Sequence, residues 1–157
     1  MMKTRRLPGI VLAADHGGVD LKADLLRFLS AKGYAVRDMG TDATDPVDYP
    51  DYAFAAAAAM RRGEADRAIL ICKSGIGMAI AANKAQGIRA AVVSTVADAG
   101  LSRSHNDANV LVLGANEVSP RRARRIVRFW LETPFEGGRH RRRVEKIRRF
   151  EKAHWRE

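Results

Sequence analysis

The chain has 157 residues, 46% of them apolar, and a single cysteine; it is long enough for one compact core and excludes an internal disulfide or a cysteine-built zinc site. Its net charge of +10 is lopsided: from Arg121 onward 14 Lys and Arg face 5 Glu, a net of +9, while the residues before it carry 14 basic against 13 acidic, a net of +1. The basic start at residues 1–7 leads into an apolar stretch broken by Asp15 and His16, and the run at 53–60 falls far short of the roughly 20 residues a bilayer span needs, so a soluble, cytoplasmic protein without an export signal is expected.

Strand-like and helix-like patterns then alternate along the chain. Residues 10–14 form a β-type run. Residues 19–29 carry Leu21, Leu25, Leu26, Phe28 and Leu29 at helical spacing, with Gly33 as the stop. A second strand is predicted at 34–39, a polar loop at 40–50, and an alanine-rich helix at 52–62 closed by Gly63. The third strand, 68–71, runs into a helix at about 77–85. A fourth strand is predicted at 88–94, where Ala90, Val92 and Val93 suggest burial on both faces, followed by a helix at 96–103 and a fifth strand at 110–113. Ser119 as N-cap and Pro120 at the first position start a helix running to 131. The last helix, 138–155, is strongly basic and too polar to bury itself, so it is expected to pack on another subunit. This order predicts the α/β class: one domain over 1–157, with a five-stranded parallel sheet and helices on both faces.

Ligands in such folds bind beyond the carboxyl ends of the strands. Strand one delivers Asp15-His16-Gly17-Gly18 there, strand three delivers Cys72-Lys73-Ser74-Gly75-Ile76-Gly77, and the helix after strand four is expected to bring Ser104-His105-Asn106-Asp107 to the same rim. A turn opening a helix presents free N–H groups and the positive dipole end, which suit a phosphate or an enediolate oxygen. A thiol titrates near pH 8.5 when unperturbed and becomes a usable base beside positive charge; the bland reading is a small buried hydrophobe. The basic C-terminal region reads as a solvated helical face, with nucleic-acid binding as the minor alternative, since no recognition motif accompanies the charge. Arg139 and Arg143, four apart, share a helix face on which two guanidinium forks suit a dianion.

These segments, together with Asp48-Tyr49-Pro50-Asp51-Tyr52, Ala81-Ala82-Asn83-Lys84, Gly87-Ile88-Arg89-Ala90 and Glu136-Gly137-Gly138-Arg139-His140, closely resemble the ribose-5-phosphate isomerase B family of sugar-phosphate isomerases over about residues 8–152. The resemblance implies a three-layer α/β/α sandwich with a Rossmann-like sheet and an extended C-terminal helix reaching over a neighbour. It implies a metal-free, cofactor-free aldose–ketose isomerase, a homodimer or dimer of dimers with shared active sites and no membrane association. Carried over by position, Cys72 is the proton-transferring base and His105 the acid that opens the furanose ring. Ser74 and the backbone N–H groups of Lys73, Gly75, Ile76 and Gly77 hold the enediolate oxygens. Asp15, His16 and Asn106 contact the sugar or its phosphate, Tyr49 lines the sugar pocket, and Arg139 and Arg143 bind phosphate. Two positions depart from the family pattern: Lys73 replaces a small residue, where a nearby ammonium would favour the thiolate, and Asn116 stands where many relatives place a phosphate-binding arginine. The substrate expected is ribose 5-phosphate, with allose 6-phosphate, galactose 6-phosphate and tetrulose phosphates as alternatives.

Overall fold

The computed structural model describes residues 6–155; the basic stretch at residues 1–5 lies outside them. In chain order the elements are β1 (Ile10–Ala14), α1 (Val19–Ala31), β2 (Val36–Asp38), α2 (Tyr49–Arg61), β3 (Arg67–Cys72), α3 (Ile76–Ala82), β4 (Ala90–Val92), α4 (Val96–Ser104), β5 (Val110–Gly114), α5 (Pro120–Glu132) and α6 (Gly138–His154), with a 3-10 turn, His16–Gly18, between β1 and α1. The five strands are parallel and ordered β2-β1-β3-β5-β4. Among the described residues no helix is long and apolar enough to cross a membrane.

Alternation along the strands splits the core into two layers. Ile10, Leu12 and Ala14 of β1, Ile69 and Ile71 of β3, and Leu111 and Leu113 of β5 face α1, α4 and α5, where Leu25, Leu29 and Trp130 are fully buried. Val11 and Ala13, then Ala68, Leu70 and Cys72, then Val110 and Val112 face α2 and α3. The second side is lined by Ala53, Ala56, Ala57 and Ala59 of α2 and Ala79, Ala81 and Ala82 of α3, whose small side chains let both helices lie close to the sheet. β1, β3 and β5 are buried on both faces, which is why their sequences read as unbroken apolar runs.

Several expectations are corrected. β4 is not buried on both faces: it is the sheet edge, and Val92 stays 45% exposed. β2 keeps only 36–38 of the expected 34–39, since it too is an edge and pairs with β1 through just those residues. α2 starts at Tyr49 rather than 52, because proline at position 50 falls in the first turn, where its missing N–H is no loss. α3 starts at Ile76 and stops at Ala82, short of 85. The Ser119 cap on α5 is observed, its hydroxyl accepting from Arg122 N–H. α6 also packs on its own chain: Val144 and His140 are buried, and Glu151 accepts a hydrogen bond from Gly87 N–H at 3.2 Å.

One buried charge holds the loop that flanks the candidate site. Lys22 of α1 is 1% exposed, yet its ammonium donates to both carboxylate oxygens of Asp38 (2.8 and 2.7 Å) and to Asp42 (2.6 Å). Desolvation pulls the Lys22 pKa down, but the hydrogen bonds to Asp38 and Asp42 outweigh it and leave the ammonium above the ordinary lysine value. A folded pKa raised in this way stabilises the native state below the unfolded value of about 10.4 and loses that contribution as pH rises through the folded value. Lys22→Met is expected to cost about 2–3 kcal/mol in urea denaturation at pH 7, the worth of hydrogen bonds to charged groups. The wild-type chain is expected to lose stability above about pH 10.4 more steeply than the variant.

Candidate functional site

The first group of residues lies at the carboxyl ends of β1, β3 and β5. The register pairs Cys72 with Gly114, so the thiol ends its strand, and alternation turns it toward α2 and α3. Cys72 retains 5% of its surface, and its Sγ accepts from Gly75 N–H at 3.1 Å. That contact depends on Gly75 turning left-handed at φ +81°, where a Cβ would also come within 3.3 Å of Gly114 N. Ser74 Oγ accepts from Ile76 N–H at 3.2 Å. The next two amides, Gly77 and Met78, lie in the first turn of α3 and have no intrahelical acceptor. Gly77 also admits the Tyr49 ring, since a Cβ there would lie 2.6 Å from Tyr49 Cζ. Tyr49 is therefore closed against the cysteine turn from the start of α2.

The neighbouring turn after β1 is fixed by Asp15, a buried carboxylate whose Oδ1 accepts from Gly17 N–H at 2.9 Å. His16 Nδ1 accepts from Val47 N–H at 3.1 Å, which ties the 40–50 loop to the rim and, in the neutral ring, leaves the proton on Nε2. The Lys73 side chain crosses this turn: a Cβ on Gly17 would meet Lys73 Cγ at 2.5 Å and Cε at 3.3 Å. Asn116 N–H donates to Lys73 O at 3.0 Å. A cleft of about 270 Å³ lies between His16, Gly17, Thr44 and Asn116.

The second group lies elsewhere. His105 caps the C-terminus of α4, and helices that return from a parallel strand end beside the amino ends of the strands. Asn109 O accepts from Ala68 N–H at the start of β3, and Asn109 Oδ1 accepts from Arg89 N–H just before β4. The expectation that His105, Asn106 and Asp107 share a rim with Cys72 within one chain is thus corrected: β5, Val110–Gly114, runs between the two edges, about 13 Å at the usual strand rise.

This edge has its own construction. Asp107 is left-handed at φ +48°, an uncommon state for a residue with a side chain. It is held by Arg103 (2.9 Å), Arg89 (3.1 Å) and Arg148 (3.6 Å), and Arg103, itself buried, also donates to Ala108 O. The Asn106 carbonyl accepts from Arg89 Nε, leaving the Asn106 side chain exposed. The His105 ring stacks on His140 of α6, with centroids 4.1 Å apart and planes 11° from parallel. Burial, reinforced by the neighbouring His105 and Arg139, holds the His140 imidazole below its ordinary pKa. Arg139 and Arg143 extend from the same helix into solvent beside it.

His105, Glu136 and His140 bring nitrogen and carboxylate atoms within 4.8 Å of one another. Stacked imidazoles, however, aim their lone pairs along two parallel planes instead of at one point, and Arg139 adds repulsive charge. This set does not converge on a single ion.

Each group is chemically incomplete. The Cys72 edge has a thiol, hydrogen-bond donors and a cleft; the His105 edge has imidazoles and two exposed guanidinium groups, of which Arg139 donates to His140 Nε2 at 3.5 Å. Sequence reading missed Lys22 and the arginine brace around Asp107, although Arg103 and Asp107, four apart, signal one of its pairs.

A family model described as Ribose/Galactose Isomerase matches residues 10–147. Ribose-5-phosphate isomerase B of Escherichia coli strain K12 is 46% identical over 142 residues, covering 90% of this chain and 95% of that protein. A Clostridium thermocellum ribose-5-phosphate isomerase B structure superposes with a TM-score of 0.91 at 48% identity, covering 94% of this chain and 99% of that one. The Mycoplasma genitalium ribose-5-phosphate isomerase B structure with bound ribulose-5-phosphate gives 0.87 at 41% identity, covering 92% and 96%.

The Tyr49–Gly77 contact makes a direct prediction. Gly77→Ala is expected to destabilise by about 1–3 kcal/mol through overpacking against the ring. In a Tyr49→Ala background the same change is expected to be neutral or stabilising, since alanine is favoured over glycine in a helix by about 1 kcal/mol. A thermodynamic cycle by chemical denaturation measures both.

Proposed function

The chain belongs to the ribose/galactose isomerase family, and we propose that it interconverts ribose 5-phosphate and ribulose 5-phosphate through a cis-enediolate with Cys72 as the base. The observation that carries this reading is the cysteine turn: a thiol at the end of β3, held by Gly75 N–H, beside Ser74 and the first-turn amides of α3 and under the Tyr49 ring. A carbon acid needs a base at the transferred proton and donors at the oxygen that becomes negative, and this turn offers both on one rigid strand end.

In this reading His105 protonates the ring oxygen of the furanose while the O1 hydroxyl gives up its proton to water, so the bond from C1 to the ring oxygen breaks and the aldehyde forms. The Cys72 thiolate then removes the C2 proton of the aldehyde form, and the electron pair left behind moves into a C1–C2 double bond with negative charge on O1. The amides of residues 73–77 and the Ser74 hydroxyl face that oxygen. Cys72 returns its proton to C1 while the O2 proton passes to O1, so C1 becomes a hydroxymethyl carbon, C2 becomes the ketone and the thiolate is restored. Asp15, His16 and Asn106 hold hydroxyls, and Arg139 and Arg143 grip the phosphate as a bidentate pair.

Because Cys72 and His105 end at opposite edges of one sheet, a complete site takes each group from a different chain. We therefore read the protein as a homodimer, or a dimer of dimers, in which α6 presents its arginines to a neighbour's cysteine turn. Exposed Ile76 and Ile80 on α3, and Ile147 and Phe150 on α6, give that contact apolar area. A cytoplasmic location goes with this reading.

The test is conversion of four-, five- and six-carbon aldose and ketose phosphates in deuterated water, followed by NMR. Ribose 5-phosphate is expected to convert fastest, with deuterium appearing at the transferred position; conversion of six-carbon phosphates alone would move the substrate within the family. Cys72→Ala is expected to lose about 10³-fold in kcat, within the usual range for acid–base groups, while binding ribulose 5-phosphate nearly as before. Near-wild-type turnover by that variant would falsify the assigned base.

A further inference from the structure

We propose a second ligand site at the amino ends of the strands: a cleft lined by Arg67, Arg103 and Phe135 that takes a small organic anion, its oxyanion on the two guanidinium groups and its ring or apolar body on the walls. The cleft encloses about 760 Å³, a size suited to a small molecule. It lies beside the C-terminal end of α5, at the sheet edge opposite Cys72, and His105, His140, Arg139 and Arg143 are not among its walls. Strand register fixes its length. Ile10 of β1 pairs with Arg67 of β3 on one side and with Val36 of β2 on the other, so Arg67 and the Tyr34 approach to β2 stand two strand spacings apart, roughly 10 Å, with Leu7 and Pro8 between them.

The cationic end has free donors. Arg103 is 5% exposed, and only its Nη1 is engaged, donating to Asp107 at 2.9 Å and to the Ala108 carbonyl at 2.7 Å. Its Nε and Nη2 have no acceptor among the described residues, where the single fully buried side-chain polar atom without a partner is Trp130 Nε1; the two Arg103 nitrogens therefore open onto the cleft that Arg103 lines. Arg67, half-buried, makes no ion pair among the described residues and donates only to the Asp66 carbonyl, at 2.9 Å. Burial first, and then the Arg103 charge, hold the Arg67 guanidinium below its ordinary pKa, and Asp107 and Asp66 do not restore it. An oxyanion between the two forks would offset both charges and take up the free N–H groups. The cleft's own carboxylates do not fill that role. Asp66 turns its Oδ2 onto Gly9 N–H at 2.8 Å, and Glu132 stands by Tyr34, where it joins burial in holding the phenol above its ordinary pKa. Tyr34 thus stays protonated as a donor, and with Leu131 and Phe135 it supplies the surface on which a ring can lie.

The experiment titrates the full-length chain, wild type and Arg67→Met, with phenyl phosphate and with inorganic phosphate by calorimetry, in excess ribulose 5-phosphate to occupy the catalytic site proposed above. One phenyl phosphate per wild-type chain is expected to bind, about tenfold tighter than inorganic phosphate because the ring adds buried apolar surface. Arg67→Met keeps the apolar stem and removes the fork, so it is expected to bind phenyl phosphate about tenfold more weakly, the loss of one charged hydrogen bond. It is also expected to unfold at no lower urea concentration than wild type, since it removes a charge its own chain leaves uncompensated. No phenyl phosphate binding by the wild-type chain, equal affinity in Arg67→Met, equal affinity for the two phosphates, or a less stable Arg67→Met would overturn the proposal. If the chain binds no ribulose 5-phosphate, the isomerase reading fails, and the Arg67→Met comparison still decides this site.

Discussion

The direction of a parallel sheet governs the rest of this molecule. Each strand delivers its last residue to one edge, and each returning helix ends at the other, because crossovers in such sheets run strand up and helix down. Cys72 closes β3 and His105 closes α4, so no rearrangement of side chains within one chain brings the thiol and that imidazole together. The chemistry proposed for the two groups therefore calls for a second copy, and the proposed oligomer rests on this topology.

The same topology explains how the two edges are built. At the cysteine edge backbone does most of the work, and space is so tight that three glycines are fixed by what surrounds them: Gly75 by its left-handed φ, Gly77 by the Tyr49 ring, and Gly114 by the Ser74 carbonyl 2.7 Å from where its Cβ would be. Such a turn holds amides and thiol in place with little freedom, which is what stabilising a developing oxyanion asks for. At the other edge side chains do the work. Three arginines hold Asp107 in a conformation it would otherwise avoid, and the resulting corner carries His105 onto His140.

Much of the fold was legible in the sequence because central strands buried on both faces leave unbroken apolar runs, and because Ser119-Pro120 is a helix start with a local mechanism. The edge strand β4 was not, since an apolar run does not say which neighbours a strand has. Tyr49 reads as loop in the sequence because proline at 50 looks like a breaker, although the first helical turn accepts it. Lys22 was invisible: a lysine in an amphipathic helix reads as solvent-facing until the loop bearing Asp42 folds over it. The site residues were legible as motifs, but their division between two edges was not, because motif order along a chain carries no information about which end of a helix meets which end of a sheet.

Complementation between two inactive chains tests this account most directly. Cys72→Ala and His105→Asn proteins, each inactive alone, are mixed in equal amounts and allowed to exchange subunits. Random pairing in a two-fold dimer predicts recovery of about one quarter of the wild-type activity, since half the dimers are mixed and each of these keeps one intact site of two. Exchange demonstrated by mass spectrometry with no activity regained would contradict a site divided between copies.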